Sequence, residues 1–145
     1  MILTINSEAE MMRLAEKIGR SLKGGEVFEL IGDIGAGKTT FTKGLAAGLA
    51  IDDDVQSPSF TISRVYDVRD GLQLAHYDFY RLDDPGIMAN EIADLVSDPT
   101  TVTVIEWADL LGGILPDTRI RIRISALSES QRTVEVDGLA KEILL

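Results

Sequence analysis

The sequence predicts an α/β fold: a P-loop NTPase-like sheet, mixed with antiparallel hairpins and flanked by helices. Three observations carry this. Gly32-Asp33-Ile34-Gly35-Ala36-Gly37-Lys38-Thr39 fills every required position of G-x-x-x-x-G-K-[ST]. A run rich in β-formers, Glu26 to Ile31, precedes it, and Phe41, Leu45 and Leu49 follow at helical spacing. Thr101-Val102-Thr103-Val104-Ile105 is a β-branched run of the kind that parallel sheets bury on both faces.

The elements follow in order. Ser7-Glu8-Ala9-Glu10 reads as a capping box, opening a helix whose face is Met11, Leu14, Ala15, Ile18 and Leu22, and Gly24-Gly25 stops it. The strand, glycine loop and helix of the phosphate-loop pattern come next. Asp52-Asp53-Asp54 reads as a solvated loop rather than a metal cluster. Ser57-Pro58-Ser59-Phe60 opens a loop, Thr61 to Val68 forms a strand, and Arg69-Asp70-Gly71 turns the chain into a second strand from Leu72 to Phe79. Pro85 to about Val96 is a helix with proline in its first turn. Arginine and isoleucine alternate from Arg119 to Ile124, which marks a half-buried strand with Ile120, Ile122 and Ile124 inward. Gln131 to Val136 is its partner after a turn at residues 127–130. In such a sheet a nucleotide lies at the carboxyl ends of the strands.

At 145 residues, 45% of them apolar, the chain is expected to form one domain over residues 1–145. It contains no cysteine, so disulfides and thiolate metal sites are excluded. Residues 1–6 lack the basic start and long apolar run of a signal peptide, and no stretch approaches the roughly 18 apolar residues of a membrane span. A soluble, cytoplasmic protein with no membrane partner is the expectation. Twenty-four acidic residues against fourteen basic ones give a formal charge of −10. Gripping nucleic acid depends on Lys/Arg contacts to phosphate, so apart from the row Arg119, Arg121, Arg123 the chain is expected to leave nucleic acid to partners.

The chemistry centres on the loop. Its glycines let backbone N–H groups turn inward toward phosphate oxygens, and the helix N-terminus adds its positive dipole end. Lys38 reaches the β- and γ-phosphates of a nucleoside triphosphate, and the Thr39 hydroxyl is a Mg²⁺ ligand. Glu106 and Asp78 each end a predicted strand and are candidate carboxylates for the metal or its water. Ser59 and Thr61 lie where a switch segment around the γ-phosphate would sit. The lone His76 has no nucleophile beside it and reads as a hydrogen-bonded structural histidine; Trp107, by pattern alone, reads as a packing residue. Other nucleotide classes fit less well. Gly35-Ala36-Gly37 lacks the third glycine of a dinucleotide loop, no N-K-x-D guanine reader exists, and no arginine-rich kinase lid lies between Asp83 and Thr101.

Taken together, the segments Gly32 to Thr40, Ser57 to Thr61, His76-Tyr77-Asp78-Phe79-Tyr80-Arg81-Leu82, Glu106-Trp107 and Ile114-Leu115-Pro116 resemble the TsaE (older name YjeE) family over nearly the whole chain. These are bacterial P-loop ATPases of the pathway that places threonylcarbamoyl on the tRNA adenosine next to the anticodon. The resemblance implies ATP and Mg²⁺ as cofactors. Gly32, Asp33, Gly35, Ala36, Gly37, Lys38, Thr39 and Thr40 would hold the phosphates, with Thr39 and Glu106 on the metal. It implies that Asp78 is needed for hydrolysis and that Trp107 and Arg132 lie near the nucleotide. It further implies docking on the proteins TsaB and TsaD, which hold the tRNA. Ser59 in place of threonine, Ala108-Asp109 after Glu106-Trp107, and the stretch from Asp84 to Ser97 depart from the family pattern. The expectation is an ATPase that is slow alone and activated by its partners. A nucleotide-gated binding module with incidental hydrolysis and a small-molecule kinase are the alternatives.

Overall fold

The computed structural model describes residues 1–33, 35–50, 63–67, 71–79, 86 and 88–144. The strands are β1 (Ile2–Ile5), β2 (Val27–Ile31), β3 (Ser63–Asp67), β4 (Gln73–Asp78), β5 (Thr101–Glu106), β6 (Ile120–Ala126) and β7 (Arg132–Asp137). The helices are α1 (Glu8–Ser21), α2 (Lys38–Gly48), α3 (Met88–Leu95) and α4 (Lys141–Leu144), with a 3₁₀ helix over Ala108–Ile114. One sheet holds the strands in the order β1-β7-β6-β2-β5-β4-β3. Its centre, β6-β2-β5-β4, is parallel, and β3, β7 and β1 add antiparallel pairs at the two sides.

Side chains alternate across each strand, so β4 and β5 divide their residues between two cores. Leu74, Val102 and Val104 join Phe28, Leu30, Ile122 and the inner faces of α1 and α2 in one. Ala75, Tyr77 and Ile105 join Val27, Phe79, Ile92 of α3 and Leu111 of the 3₁₀ helix in the other. All six residues of β5 are buried, as its unbroken β-branched pattern requires. β6 alternates as predicted, with Ile120, Ile122 and Ile124 inside. Its arginines are engaged locally: Arg119 Nε lies 2.8 Å and Arg121 Nε 3.6 Å from Glu29 Oε1, and Arg123 pairs with Glu135. Glu29 and Glu135 offset part of the row's charge, while the Arg121 and Arg123 side chains stay half exposed.

α1 forms where its capping residues predict. Ser7 Oγ accepts the Glu10 N–H at 3.1 Å, while Glu10 Oε2 accepts from Asn6 N–H at 2.8 Å, one residue before the N-cap. The helix lies very close to α2. A Cβ on Gly48 would stand 2.3 Å from the Glu16 carbonyl oxygen and 2.8 Å from Gly19 Cα, so backbone meets backbone with no side chain between. This contact holds α2, and the loop it starts from, against the rest of the core.

Three elements were not predicted. β1 is only four residues long and exists through pairing with β7 from Ile2↔Glu135 to Ile5↔Arg132, reinforced by Val136 N–H to Met1 O at 2.8 Å. The 3₁₀ helix carries Gly112-Gly113, and α4 is a single turn packed against α1. α3 is described over Met88–Leu95, inside the helix that the sequence predicts from Pro85 to about Val96. Asp52 to Asp54, Ser57 to Thr61, Tyr80 to Pro85 and most of the predicted turn before Gly71 lie outside the described residues. No helix among the described residues is long and apolar enough to cross a membrane.

Candidate functional site

The carboxyl ends of β2, β4 and β5 lie side by side, and the glycine loop leaves β2 at this edge. The loop turns back on itself through Ala36 N–H to Asp33 O at 3.0 Å. It meets α2 at Gly37, whose φ of +119° belongs to a region that side-chain-bearing residues avoid. Gly32 also has a steric reason, because a Cβ there would sit 2.6 Å from the Ile124 carbonyl oxygen of β6. α2 starts with no side-chain cap and no acidic residue in its first turn, in contrast to α1. The first N–H groups of a helix need acceptors from outside it, and the dipole favours an anion there.

Lys38 is the first residue of α2 and is only 6% exposed. Its Nζ lies 3.8 Å from Glu106 Oε1 and 4.0 Å from the centroid of the Trp107 ring. Burial pulls the Lys38 pKa below that of an ordinary lysine, while the charges of Glu106, Asp78 and Asp33 oppose the shift. Trp107 occupies left-handed backbone, φ 58° and ψ 51°, an uncommon conformation for a bulky residue. That bend sits where β5 ends and the 3₁₀ helix begins, and the indole lies against Lys38.

Asp78 and Glu106 are register partners on adjacent parallel strands, and Phe79 N–H donates to Glu106 O at 3.1 Å across the same join. Both acids are buried, Asp78 at 7% and Glu106 at 3% exposure. A buried carboxylate needs partners. Glu106 has Lys38 near one oxygen and His76 Nε2 at 2.6 Å from the other. Arg132, at the start of β7, donates through Nε to the Ala36 carbonyl at 3.0 Å. One of its terminal nitrogens reaches the carbonyls of Ser128 and Gln131 at 2.8 and 3.0 Å. The arginine thus ties the glycine loop to the β6–β7 turn.

The structure brings together the loop residues Gly32, Asp33, Gly35, Ala36 and Gly37 and the helix start Lys38, Thr39 and Thr40. Asp78, Glu106, Trp107 and Arg132 join them at the same edge. It also adds His76. The signal for it was its position two residues before Asp78, which puts both on one face of β4. Tyr77, between them, points to the opposite core, stacks on Phe79 with centroids 6.0 Å apart and donates a hydrogen bond to Glu91 of α3.

A glycine loop running from a parallel strand into a helix, with acids ending the next two parallel strands on one side of it, defines a P-loop NTPase-like α/β protein. Residues 5–134 match the family model described as threonylcarbamoyl adenosine biosynthesis protein TsaE, and the chain belongs to the TsaE family. A tRNA threonylcarbamoyladenosine biosynthesis protein TsaE from Bacillus subtilis is 41% identical over 136 residues, covering 90% of this chain and 80% of the relative. One of the same description from Streptomyces coelicolor is 38% identical over 137 residues, covering 90% and 92%. The crystal structure of Bacillus subtilis YdiB matches with a TM-score of 0.76 at 33% identity, covering 99% of this chain and 88% of that one.

Proposed function

We propose that the protein binds Mg-ATP at the glycine loop and hydrolyses it as the ATPase of tRNA threonylcarbamoyladenosine biosynthesis, acting with TsaB and TsaD. The observation that carries this reading is the position of Lys38. A buried lysine at a helix start without a side-chain cap stands 3.8 Å from a carboxylate that ends the neighbouring parallel strand. Membership of the TsaE family supports the pathway.

In this reading the loop amides and the α2 N-terminus hold the phosphate oxygens. Lys38 moves from Glu106 toward the β- and γ-phosphates and neutralises charge that develops as the bond to the γ-phosphorus breaks. Asp78, beside Glu106, orients the attacking water, whose proton ends on the phosphate product. The residues fit a hard divalent cation: Thr39 and Glu106 offer oxygen donors only, and the Glu106 oxygen not taken by His76 lies on the Lys38 side. When bound there, Mg²⁺ supplies additional neutralisation of phosphate charge. Trp107 and Arg132 act from the rim, the first against Lys38 and the second through the Ala36 carbonyl. The acidic chain, −10 overall, supports leaving tRNA contact to the partners.

The test is phosphate release from Mg-ATP by the purified protein, alone and with TsaB and TsaD, with Lys38→Ala as control. Stimulation by the pair that vanishes in the control is the expected result. Tight ATP binding with no phosphate release under any condition would replace this reading with a nucleotide-gated module.

A further inference from the structure

His76 is the only histidine of the chain, fully buried, and the chemistry just described does not use it. It lies on the Lys38 side of β4, between Leu74 in the core and Asp78 at the strand end. Its Nε2 is 2.6 Å from Glu106 Oε2, and its Nδ1 is buried with no hydrogen-bond partner among the described residues. Buried polar side-chain atoms are in the large majority hydrogen-bonded, so an unpartnered Nδ1 calls for an explanation. Here one nitrogen is engaged, and its partner is a carboxylate of the site.

We propose that His76 is a positioning residue for Glu106. It holds Oε2 through an Nε2–H donor, so that Oε1 alone is presented toward Lys38 and the loop. The proton is assigned by satisfaction of the ring. A proton on Nδ1 would be a buried donor without an acceptor, and buried N–H groups are left unpaired more rarely than buried acceptors. Glutamate has a flexible side chain, and a carboxylate held by one oxygen cannot rotate away from the loop when Lys38 leaves it for a phosphate. Groups that orient a ligating or catalytic carboxylate from behind typically change activity about 10- to 100-fold when removed. The inference rests on the reading that Glu106 serves nucleotide chemistry.

The test compares His76→Gln, whose amide keeps a donor near the Nε2 position, with His76→Leu, which fills the space without one. Phosphate release is measured with TsaB and TsaD, binding of a fluorescent ATP analogue in EDTA, and unfolding midpoints by urea. His76→Leu is expected to lower kcat about 10- to 100-fold, with KM and metal-free nucleotide affinity nearly unchanged, and His76→Gln to recover most of the loss. Unchanged kcat in His76→Leu, or equal losses in both variants that follow their unfolding midpoints, would overturn the proposal.

A second readout needs no activity. Long-range proton–nitrogen correlation spectra of the ligand-free protein contain one histidine ring. They should show the proton on Nε2, Nδ1 bare, and an Nε2 proton resonance that moves upfield in Glu106→Gln. A proton on Nδ1, or no movement in that variant, contradicts the assignment. If the wild-type protein releases no phosphate while these spectra come out as expected, the functional reading fails and the His76–Glu106 arrangement stands.

Discussion

Replacing Gly48 with alanine tests how the fold sets the position of α2. The new Cβ would lie 2.3 Å from Glu16 O, 2.8 Å from Arg20 N and 2.8 Å from Gly19 Cα, whereas ordinary contact begins near 3.4 Å. All three are backbone atoms, so no rotamer change relieves the overlap, and α1 and α2 must separate locally by about 1 Å. Overpacking of this kind costs about 1–3 kcal/mol, and alanine's better helix propensity returns at most about 1 kcal/mol. A net loss of about 1 kcal/mol is expected, or roughly 3 °C in Tm for a chain of this length. Urea denaturation and calorimetry would measure it, with Gly113→Ala as control. A Cβ on Gly113 meets nothing within 4 Å, and that variant should stay within about 0.5 kcal/mol of the parent. Since α2 carries Lys38, the Gly48 variant should also raise the KM for ATP. A Gly48→Ala protein as stable as the parent, with the helices at their original separation, would refute the close-approach argument.

Lys38→Ala should reduce phosphate release by at least about 100-fold, since one charge-stabilising donor in such a site is worth about that much, measured by single-turnover hydrolysis. Asp78→Asn and Glu106→Gln should both abolish hydrolysis while a fluorescent ATP analogue still binds; undiminished tRNA modification by those variants would instead favour nucleotide gating. Arg132→Ala should weaken nucleotide binding and lower stability by about 1 kcal/mol, and Arg132→Lys should not restore binding, because an ammonium lacks the fork that reaches both Ala36 O and the turn carbonyls. Wild-type affinity in the lysine variant would show that the brace is unimportant. Burial, aided by the hydrogen bond and charge of Glu91, raises the Tyr77 pKa well above 10. The folded state therefore keeps a proton that the unfolded state loses above pH 10, and the stability Tyr77 contributes is present below that pH and falls as pH rises through the folded value. The difference in urea midpoint between the parent and Tyr77→Phe should narrow above pH 10.

The local and the tertiary divide cleanly in this chain. Patterns that act over a few residues determined the glycine loop, the Ser7 cap, the buried run of β5 and the arginine–isoleucine alternation of β6, because backbone preference and side-chain periodicity act within a single segment. For the same reason Lys38, Asp78 and Glu106 could be named as candidates: each ends or starts an element at a spacing visible in the sequence. Ile2 to Ile5 had no such signal, since four residues form a strand only when β7 supplies hydrogen bonds from more than a hundred positions away. Arg132 could be matched to the family but not given its hold on Ala36, which depends on how the β6–β7 turn meets the loop. His76 shows the division most sharply. Its reading as a hydrogen-bonded structural residue came from the lack of a nucleophile beside it in the sequence, but the identity of its partner depended on the parallel register that sets Asp78 beside Glu106. That register is decided by packing helices onto both faces of the sheet, a long-range balance that no single segment encodes.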